Sequence, residues 1–566
     1  MGQHKQILFV CAVTAACLIP FVGKAFSVDD PLFIWAATQI RQHPLDAYGF
    51  PVNWYGTSMP MWESTHNPPL ASYYIAAVAK LFGMSEVAMH LAFLLPAIGA
   101  VLGTWKLATQ IGSNGTVAAV ATLASPAFLV SSTYVMCDVM TVCFFTWALA
   151  LWVEGLQNRS QTRFLMASLL VAAAVLTKYF ALSLLPLLVA CTLTIDWRQS
   201  LSVLWLLVAV AIIAAYEWLT LRLYGTVHLW HAMFIAVGVD RDLSRFAQTA
   251  VGLSFAGGSF LPIVFFAPLI FSKRVLCAAA LLAVAVAVYL QEIAWRPQLG
   301  AMSYHQRMTW TVACQLGLFI GAGVLVLWLA VSDVRGIRKQ PLLVTFSLWI
   351  VGTFIFASYL NQQNNVRSML PMGPAVGVLV ARRLDLSRRL AIVAALAPAF
   401  ALSLAVACAD YAWANSWREI AVSAVTVSGD RPLWVEGHWG FQWYAEAAGA
   451  RSVDFVDPKW KAGDCIAVPF DGADVKNPPE GCVAPAPTRL ERPGNWVSLM
   501  SRRNGAGLHS AFFGPMPFRI AAPEAASCTV FVATKPGGEW PKGESVDDPS
   551  ESERRSARAA KTRGAW

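Results

Sequence analysis

The feature that most constrains the fold is a succession of apolar runs, each about 20 residues long, in residues 1–411. A helix of about 20 residues spans a hydrocarbon core roughly 30 Å thick. Over the whole chain, hydrophobic residues make up 57% and charged residues only 13%, whereas soluble domains carry about 25% charged residues. The composition therefore excludes a soluble enzyme, a disordered chain and a disulfide scaffold, and it indicates a polytopic membrane protein.

The apolar runs predict an all-α membrane domain of about thirteen transmembrane helices. The spans are expected near residues 6–26, 86–110, 115–134, 138–157, 163–178, 180–195, 200–222, 248–271, 275–291, 310–332, 341–360, 368–383 and 388–411. The short segment 68–83 begins with two prolines and contains Lys80, so we predict an interfacial helix within an outer loop at 27–85.

The net charge of +9 reflects the orientation of the chain in the membrane, because the basic residues are unevenly distributed along it. Residues 1–411 carry 24 Lys/Arg and 15 Asp/Glu, whereas residues 412–566 carry 18 of each. With the N-terminus inside, the cytoplasmic loops hold 14 Lys/Arg and 4 Asp/Glu, as the positive-inside rule requires. We therefore predict an N-in, C-out protein of the inner (plasma) membrane, surrounded by membrane lipids and without a nucleic-acid partner.

Residues 412–535 predict a small α/β domain on the extracytoplasmic side. Strand-like runs occur at 432–435, 452–456, 465–468 and 528–533, with a short helix at 440–450. In an oxidising compartment Cys465 and Cys482 can pair, which leaves Cys528 single. The tail at 536–566 is rich in Gly, Ser, Glu and Arg, and we expect it to be disordered.

Charged residues at the predicted outer ends of spans are the first functional candidates. Asp29 and Asp30 follow span one, Asp138 begins span four, Lys178 separates spans five and six, and Arg367 precedes span twelve. Acids before a helix also serve as N-caps, and an isolated lysine can extend toward the headgroups. Their common face nevertheless indicates a polar site at the outer surface.

Two outer loops add aromatic, imidazole and cationic side chains. The first loop carries Trp54, Tyr55 and Trp62, which suit an interface belt or stacking on a sugar, followed by His66 and Asn67. In the loop 223–247, His228 and His231 are three residues apart and are candidates for sugar or metal contact. Arg241 and Arg245 are four apart and are candidates for a phosphate. The pattern does not identify a cofactor. It leaves open whether a divalent cation binds, and it does not say which metal that would be.

At these residues the chain resembles the GT-C superfamily of polyprenyl-phosphate-sugar-dependent glycosyltransferases, over roughly residues 1–411. The likeness is greatest to the family 39 branch, which includes protein O-mannosyltransferases, and to the aminoarabinose transferases of lipid A. It depends on Asp29-Asp30, on the Pro-Pro helix ending at Leu81-Phe82-Gly83, on Cys137-Asp138-Val139, on Leu176-Thr177-Lys178, and on Arg367 before Leu370-Pro371. One departure is Asn67, where many relatives have Lys before Pro-Pro.

The resemblance implies transfer of a sugar from a polyprenyl-phosphate donor to an acceptor hydroxyl on the outer, periplasmic face. Asp29 is then the general base, and Asp30 and Asp138 orient the acceptor or its partners. The donor phosphate is expected to contact Lys178, Arg241, Arg245 and Arg367, with His66 and Asn67 beside it. The resemblance leaves open the sugar and whether the acceptor is a lipid, a glycan or a protein.

Two other functions are compatible with the residues. A transporter or flippase for a lipid-linked substrate would use the same cations without transfer chemistry, and a scaffold would only present the C-terminal domain. The chain contains no Walker A sequence, Rossmann glycine motif, Cys/His zinc signature or Gly-x-Ser-x-Gly elbow, and no inverted repeat typical of secondary transporters is evident.

Overall fold

Helices form most of residues 3–428, and a β-sheet follows them. The computed structural model describes residues 2–238, 245–292, 309–332, 340–472, 475–476, 478 and 481–537. The helices are α1 Gln3–Leu18, α2 Asp30–Gln42, α3 Met61–Ser64, α4 Leu70–Phe82, α5 Glu86–Gln110, α6 Gly115–Leu123, α7 Pro126–Ser131, α8 Cys137–Asn158, α9 Gln161–Thr177, α10 Leu184–Asp196, α11 Leu206–Tyr224, α12 His228–Gly238, α13 Arg245–Ser259, α14 Ile263–Ile270, α15 Lys273–Glu292, α16 Trp310–Ser332, α17 Leu342–Ile355, α18 Val366–Met369, α19 Gly373–Arg383, α20 Arg389–Ser428 and α21 Trp439–Ala447. Arg241 and the tail from residue 538 lie outside the described residues.

The described helices include seven that are long and apolar enough to cross a membrane. They lie at Gln3–Phe21, Glu86–Gln110, Cys137–Asn158, Tyr179–Tyr224, Trp310–Ser332, Leu342–Leu360 and Arg389–Ser428. The pair α13 and α14 adds an eighth if it is counted as one span, although it bends by 86°. The chain is therefore a multi-pass, mostly helical membrane protein, and the predicted count of thirteen is not confirmed.

The predicted span 115–134 is wrong as a continuous helix. It divides into α6 and α7, because the Ser125 side chain accepts a hydrogen bond from the backbone N–H of Phe128 (3.3 Å) and Pro126 takes the first helical position. Ser at the N-cap and Pro at the first helical position both favour a new helix start. Because of this break, α6 and α7 are both short helices, and the chain then continues from α7 to Asp138 in α8.

The predicted boundary at residue 411 falls within α20, which continues for 17 more residues to Ser428. The apolar run ends near residue 411, but the helix gains a second set of partners. Trp417, Ile420 and Ala424 are buried against the β-sheet. The helix stops at Gly429, whose φ of +59° ends the α-conformation. One rigid helix therefore joins the membrane part to the C-terminal domain, a name used here for residues 429–537.

The C-terminal domain contains a five-stranded mixed sheet. The chain has strands β1 Pro51–Asn53, β2 Ser58–Pro60, β3 Leu433–Val435, β4 Arg451–Ser452, β5 Cys465–Pro469, β6 Thr488–Arg492, β7 Val497–Ser498, β8 Met500–Ser501, β9 Ala506–Gly507, β10 Arg519–Ile520 and β11 Ala526–Val532. The sheet order is β4-β3-β5-β11-β6; β3 pairs in parallel with β4 and β5, and β11 pairs antiparallel with β5 and β6. Strand β4 is shorter than the predicted run 452–456.

The cysteines of this domain are not paired. Cys465, Cys482 and Cys528 are all free thiols. Cys465 lies in β5 opposite Val532 of β11, and its side chain is buried between the sheet and α20. The option of a Cys465–Cys482 disulfide is therefore not realised in the structure.

The C-terminal domain is fixed on the segment that follows α1. The Tyr444 hydroxyl donates to Glu86 (2.9 Å) and accepts from the backbone N–H of Phe26 (2.9 Å). Gly440 lets α21 approach this segment, because a Cβ there would lie 2.3 Å from the carbonyl oxygen of Phe26. The side-chain amide of Asn53 in β1 donates to the carbonyl oxygen of Val453 (2.9 Å). We call the end of the helices that carries this domain the domain end.

A second attachment joins the domain to the loop before α18. The backbone N–H of Val366 donates to Leu508 (3.0 Å), and that of Ala511 donates to Asn364 (2.9 Å). These bonds hold the loop that precedes Arg367. The two segments that carry Asp29 and Arg367 are thus both held by the C-terminal domain.

Candidate functional site

Asp29 stands at the start of α2 in a strained backbone. Val28 has φ = +52°, a conformation that costs a β-branched residue about 1–3 kcal/mol, and its side chain is buried. Asp29 is the N-cap residue of α2, yet its carboxylate makes no capping hydrogen bond. The local structure therefore leaves this carboxylate available for another partner, which argues against a pure N-cap role.

The partner of Asp29 is Arg367, which lies 338 residues later in the chain. The Arg367 Nη1 atom is 2.7 Å from Asp29 Oδ2 and 3.0 Å from the sulfur of Met136. Burial opposes ionisation of Asp29, but the guanidinium of Arg367 outweighs it and lowers the pKa of Asp29 below its usual value. The Asp29 side chain remains 31% exposed, so its ionised carboxylate is accessible from outside the protein.

Asp30 has a different environment from its neighbour. Its carboxylate accepts hydrogen bonds from the backbone N–H groups of Ser27 (2.9 Å) and Val135 (2.8 Å). Burial raises the pKa of Asp30 to about 7, and these two bonds and Lys24 oppose the rise. Asp30 is fully buried. Its two hydrogen bonds join the start of α2 to the chain before α8 and so help to position the neighbouring Asp29.

Asp138 and Lys178 form a second ion pair in the same cluster. Lys178 Nζ lies 2.6 Å from Asp138 Oδ1, and the two side chains are 24% and 4% exposed. Asp138 lies in the first turn of α8, whereas Lys178 directly follows α9. Although burial opposes its charge, the pKa of Arg367 is raised by Asp29 and also by Asp138, so the two pairs belong to one cluster. We call Asp29, Asp138, Lys178 and Arg367 the four-charge cluster.

The histidines predicted near this site are held by other groups. His228 is buried, and its Nε2 lies 2.9 Å from the carbonyl oxygen of Thr65 while Nδ1 lies 3.1 Å from the Tyr179 hydroxyl. His231 Nε2 contacts the carbonyl oxygen of Glu63 at 3.2 Å. Within the described ranges, no group of three or more His, Cys, Asp or Glu side chains could hold a metal ion.

His66 is not suited to replace a cation beside Asn67. Burial, together with His231 and His228, lowers the pKa of His66 to about 3, although Asp29 acts in the opposite direction. Since a neutral imidazole carries no charge, His66 can offer only a hydrogen bond to a phosphate. The carbonyl oxygen of Asn67 accepts from the Tyr48 hydroxyl at 2.7 Å, which fixes the chain before α4.

The aromatic residues of the first loop pack against the protein. Trp54 is 3% exposed and lies 4.6 Å from the His438 ring, which also neighbours Tyr55 at 6.2 Å. Trp62 stacks on Tyr224 at 6.1 Å. They support the loop, and in this structure Trp54 has little surface for a sugar. Arg245 begins α13 and is exposed at the edge of the described residues.

A buried network behind the four-charge cluster escaped the sequence reasoning. Lys24 and Asp410 form an ion pair in which both side chains are fully buried. Asp410 also accepts from the Tyr134 hydroxyl at 2.8 Å, and His509 Nε2 lies 2.9 Å from it. Burial lowers the pKa of His509, although the hydrogen bond and the charge of Asp410 oppose this. We call Lys24, Tyr134, Asp410 and His509 the buried network.

A signal for two members of the buried network was present in the sequence. Lys24 and Asp410 are isolated charges at the ends of the first and last apolar runs, where an unpaired charge is costly. His509 gave no such signal, because nothing near it in the chain differs from an ordinary surface loop. His438 and His509 of the C-terminal domain both act on Asp29 electrostatically, so the domain forms part of the site's surroundings.

Several helices able to span a membrane, with the four-charge cluster at their domain end, define a multi-pass membrane protein that carries a cluster of paired charges. Residues 66–220, which carry Asp138 and Lys178, match the model of the family described as dolichyl-phosphate-mannose-protein mannosyltransferase. The predicted resemblance to the GT-C membrane glycosyltransferases is thereby confirmed. Among curated proteins, none matches the chain in sequence.

Solved structures of low sequence identity resemble the chain. A crystal structure of ArnT from Cupriavidus metallidurans bound to undecaprenyl phosphate is 16% identical, with a TM-score of 0.43 over 83% of this chain and 94% of that one. The archaeal oligosaccharyltransferase AglB from Archaeoglobus fulgidus, in complex with an inhibitory peptide and a dolichol-phosphate, is 14% identical, with a TM-score of 0.47 over 79% and 64%. The arabinofuranosyltransferase AftD from Mycobacteria is 12% identical, with a TM-score of 0.44 over 95% and 40%.

Proposed function

We propose that the chain is an inverting glycosyltransferase that moves a monosaccharide from a polyprenyl-phosphate donor to an acceptor hydroxyl on the outer face of the membrane. The observation that carries the proposal is the pair of Asp29 and Arg367, in which a partly exposed carboxylate is kept ionised. The description of the matched family also names a lipid-phosphate sugar. The acceptor is a hydroxyl of a lipid, a glycan or a protein.

In the proposed reaction, Asp29 removes the proton of the acceptor hydroxyl. The hydroxyl oxygen then attacks the anomeric carbon of the donor sugar from the face opposite the phosphate. The bond between that carbon and the phosphate oxygen breaks, and the lipid phosphate leaves with the electron pair. A base within hydrogen-bond reach of its proton contributes roughly 10²- to 10⁴-fold in rate.

The cations of the four-charge cluster have separate tasks in this scheme. Arg367 holds Asp29 in its ionised form and in one orientation. Lys178 is more exposed than its partner Asp138, so it can turn toward the lipid phosphate while the acid remains buried. A cation beside the leaving oxygen stabilises the charge that develops there. Arg245, which is exposed, and Arg241 are further candidates for the phosphate.

The test is Asp29→Asn in the purified full-length protein, assayed for transfer from a labelled polyprenyl-phosphate sugar. We expect transfer to fall by at least about 10²-fold, while binding of the lipid phosphate persists because Lys178 is unchanged. Asp457→Asn is the matched control, since Asp457 is an exposed acid of the C-terminal domain that pairs with the equally exposed Lys459.

Two results would count against the proposal. If transfer survives Asp29→Asn, Asp29 is not the base. If the wild-type protein moves a labelled lipid from one leaflet of a vesicle membrane to the other but never transfers its sugar, the chain is a transporter or flippase instead.

A further inference from the structure

A segment of the C-terminal domain, residues 517–520, runs along the side of α16, a helix able to span the membrane. Phe518 is buried and packs edge to face on Phe319 of α16, with ring centroids 5.0 Å apart. Nearer the start of the helix, the Arg519 Nη2 atom lies 3.5 Å from the hydroxyl of Thr311. The domain therefore contacts α16 over about two turns, the rise between these two positions.

The contacted turns belong to the membrane-spanning length of α16. With 23 residues, from Trp310 to Ser332, the helix is about 35 Å long, little more than a hydrocarbon core of roughly 30 Å. The headgroup layer on each side adds only about 5–7 Å, whereas Phe319 lies about 13 Å along the helix from Trp310. Part of the domain therefore lies at the level of the headgroups and of the first lipid carbon atoms.

A glutamine within the apolar run of α16 satisfies the edge of the domain at this depth. The Gln315 side-chain amide donates to the carbonyl oxygen of Ile520 (3.0 Å), and its oxygen accepts from the backbone N–H of Ile520 (2.8 Å). Strand β10 pairs with β7 along one edge, and its other edge faces α16. Open backbone groups are costly where water is scarce. Gln315 removes this cost, so the edge is compatible with apolar surroundings.

The side chains around this edge are apolar and exposed. Ile520 and Trp496 are both more than half exposed, and the two strands hold them together, since the carbonyl oxygen of Trp496 accepts from the backbone N–H of Ala521 (2.9 Å). Trp310, the first residue of α16, is also more than half exposed. Tryptophan is enriched where a membrane meets water. We call Trp310, Trp496 and Ile520 the apolar edge.

Arg519 adds a cation beside the apolar edge. Its Nη1 atom donates to the carbonyl oxygen of Asn504 at 3.2 Å, and its Nη2 atom lies near Thr311. Among the residues that the structure describes, no carboxylate forms an ion pair with Arg519. A guanidinium has five N–H donors, so these two contacts leave donors for an anion. Its planar fork suits the oxygens of a phosphate.

We propose that the apolar edge and Arg519 form a docking surface for a phospholipid of the surrounding bilayer. Ile520 and Trp310 contact the upper part of the acyl chains, and Arg519 binds the phosphate of the headgroup. The continuity of the surface favours lipid over a protein partner, because the exposed Leu318 extends it along the membrane-spanning helix. The contact fixes the height of the C-terminal domain relative to the membrane, and it goes beyond the proposed sugar transfer.

Lipid contact is tested by photo-crosslinking of the full-length protein in nanodiscs of phosphatidylglycerol. Ile520→p-benzoylphenylalanine places a photoreactive ketone at the apolar edge, and after irradiation intact-protein mass spectrometry should show the added mass of one phospholipid. Glu491→p-benzoylphenylalanine is the control, because Glu491 is exposed on β6 and its neighbour Arg492 pairs with Glu419, beyond the apolar run of α20. Equal lipid addition to the two variants would overturn the proposal, as would crosslinking of the Ile520 variant to a second copy of the chain instead of lipid.

The role of Arg519 is tested by thermal unfolding in a neutral detergent with added lipid. A ligand that binds only the folded protein stabilises it, so phosphatidylglycerol should raise the melting temperature of the wild type, and dioleoylglycerol, which lacks the phosphate, should raise it less. Arg519→Gln should lose much of the phosphatidylglycerol shift, whereas Arg489→Gln, at an exposed arginine of β6, should retain it.

Two results of this second assay would count against the phospholipid. Equal shifts in the wild type and in Arg519→Gln would overturn the assignment of Arg519 to the headgroup. An equal shift by inorganic phosphate would show a site for free anions instead of a lipid. Neither assay depends on sugar transfer, so the docking surface and the proposed function stand or fall separately.

Discussion

The buried pair of Lys24 and Asp410 makes a quantitative prediction about the stability of the fold. Both side chains are fully buried, and Lys24 Nζ lies 3.2 Å from the centre of the Tyr134 ring. Removing one member of such a pair leaves an uncompensated charge and costs about 3–5 kcal/mol of folding free energy. We expect this loss for Lys24→Met and for Asp410→Leu.

The double variant Lys24→Met with Asp410→Leu should regain much of the lost stability. It leaves no buried charge, so the remaining cost is that of the Tyr134 and His509 groups, which lose their contact with Asp410, about 1–3 kcal/mol for each group. The coupling between the two substitutions in a double-mutant cycle should therefore be about 2 kcal/mol or more.

The assay is thermal unfolding of the purified protein in one detergent at one scan rate, because a large membrane protein commonly unfolds irreversibly. Asp385→Asn serves as the control, since Asp385 is an exposed acid whose partner Arg388 is also exposed, and such pairs contribute little. The reasoning is refuted if Asp410→Leu melts at the wild-type temperature, or if the double variant is as unstable as the sum of the two single variants.

Three further predictions concern the site and the sheet. Arg367→Gln removes the cation that lowers the pKa of Asp29, so the acid limb of the pH profile of kcat/KM should move to higher pH by about one to three units; an unmoved limb would contradict the pairing. Lys178→Met should raise KM for the donor and destabilise the protein by leaving Asp138 unpaired, and Lys178→Arg should restore most of both; a methionine variant equal to the wild type would remove Lys178 from the site. Cys465 should react with an alkylating reagent on unfolding without prior reduction, and a requirement for reductant in mass spectrometry would reveal a disulfide.

Much of the membrane part was predictable because its signals are local. Helices α5, α8 and α16 lie within about a residue of the predicted spans at 86–110, 138–157 and 310–332, since a continuous apolar run has no stable alternative in a membrane. The predictions failed where a neighbouring element changed the outcome. The extension of α20 to Ser428 depends on a sheet that packs against it, and no feature of residues 412–428 announces that partner.

The sequence by itself determined that this chain is a membrane protein, which residues are apolar enough to span, and which charges stand together at one end of the spans. Composition and the length of the apolar runs suffice for this, because the cost of a charge in hydrocarbon depends little on its neighbours in the fold. The motif resemblance also named Asp29 and Arg367 as members of one site.

Only the tertiary structure decided how those charges act. It joins Asp29 to Arg367 across 338 residues and Lys24 to Asp410 across 386, and it places a strained Val28 directly before Asp29, whose carboxylate makes no capping hydrogen bond. Ion pairing and backbone strain depend on which segments packing brings together. No local pattern in the chain specifies those contacts.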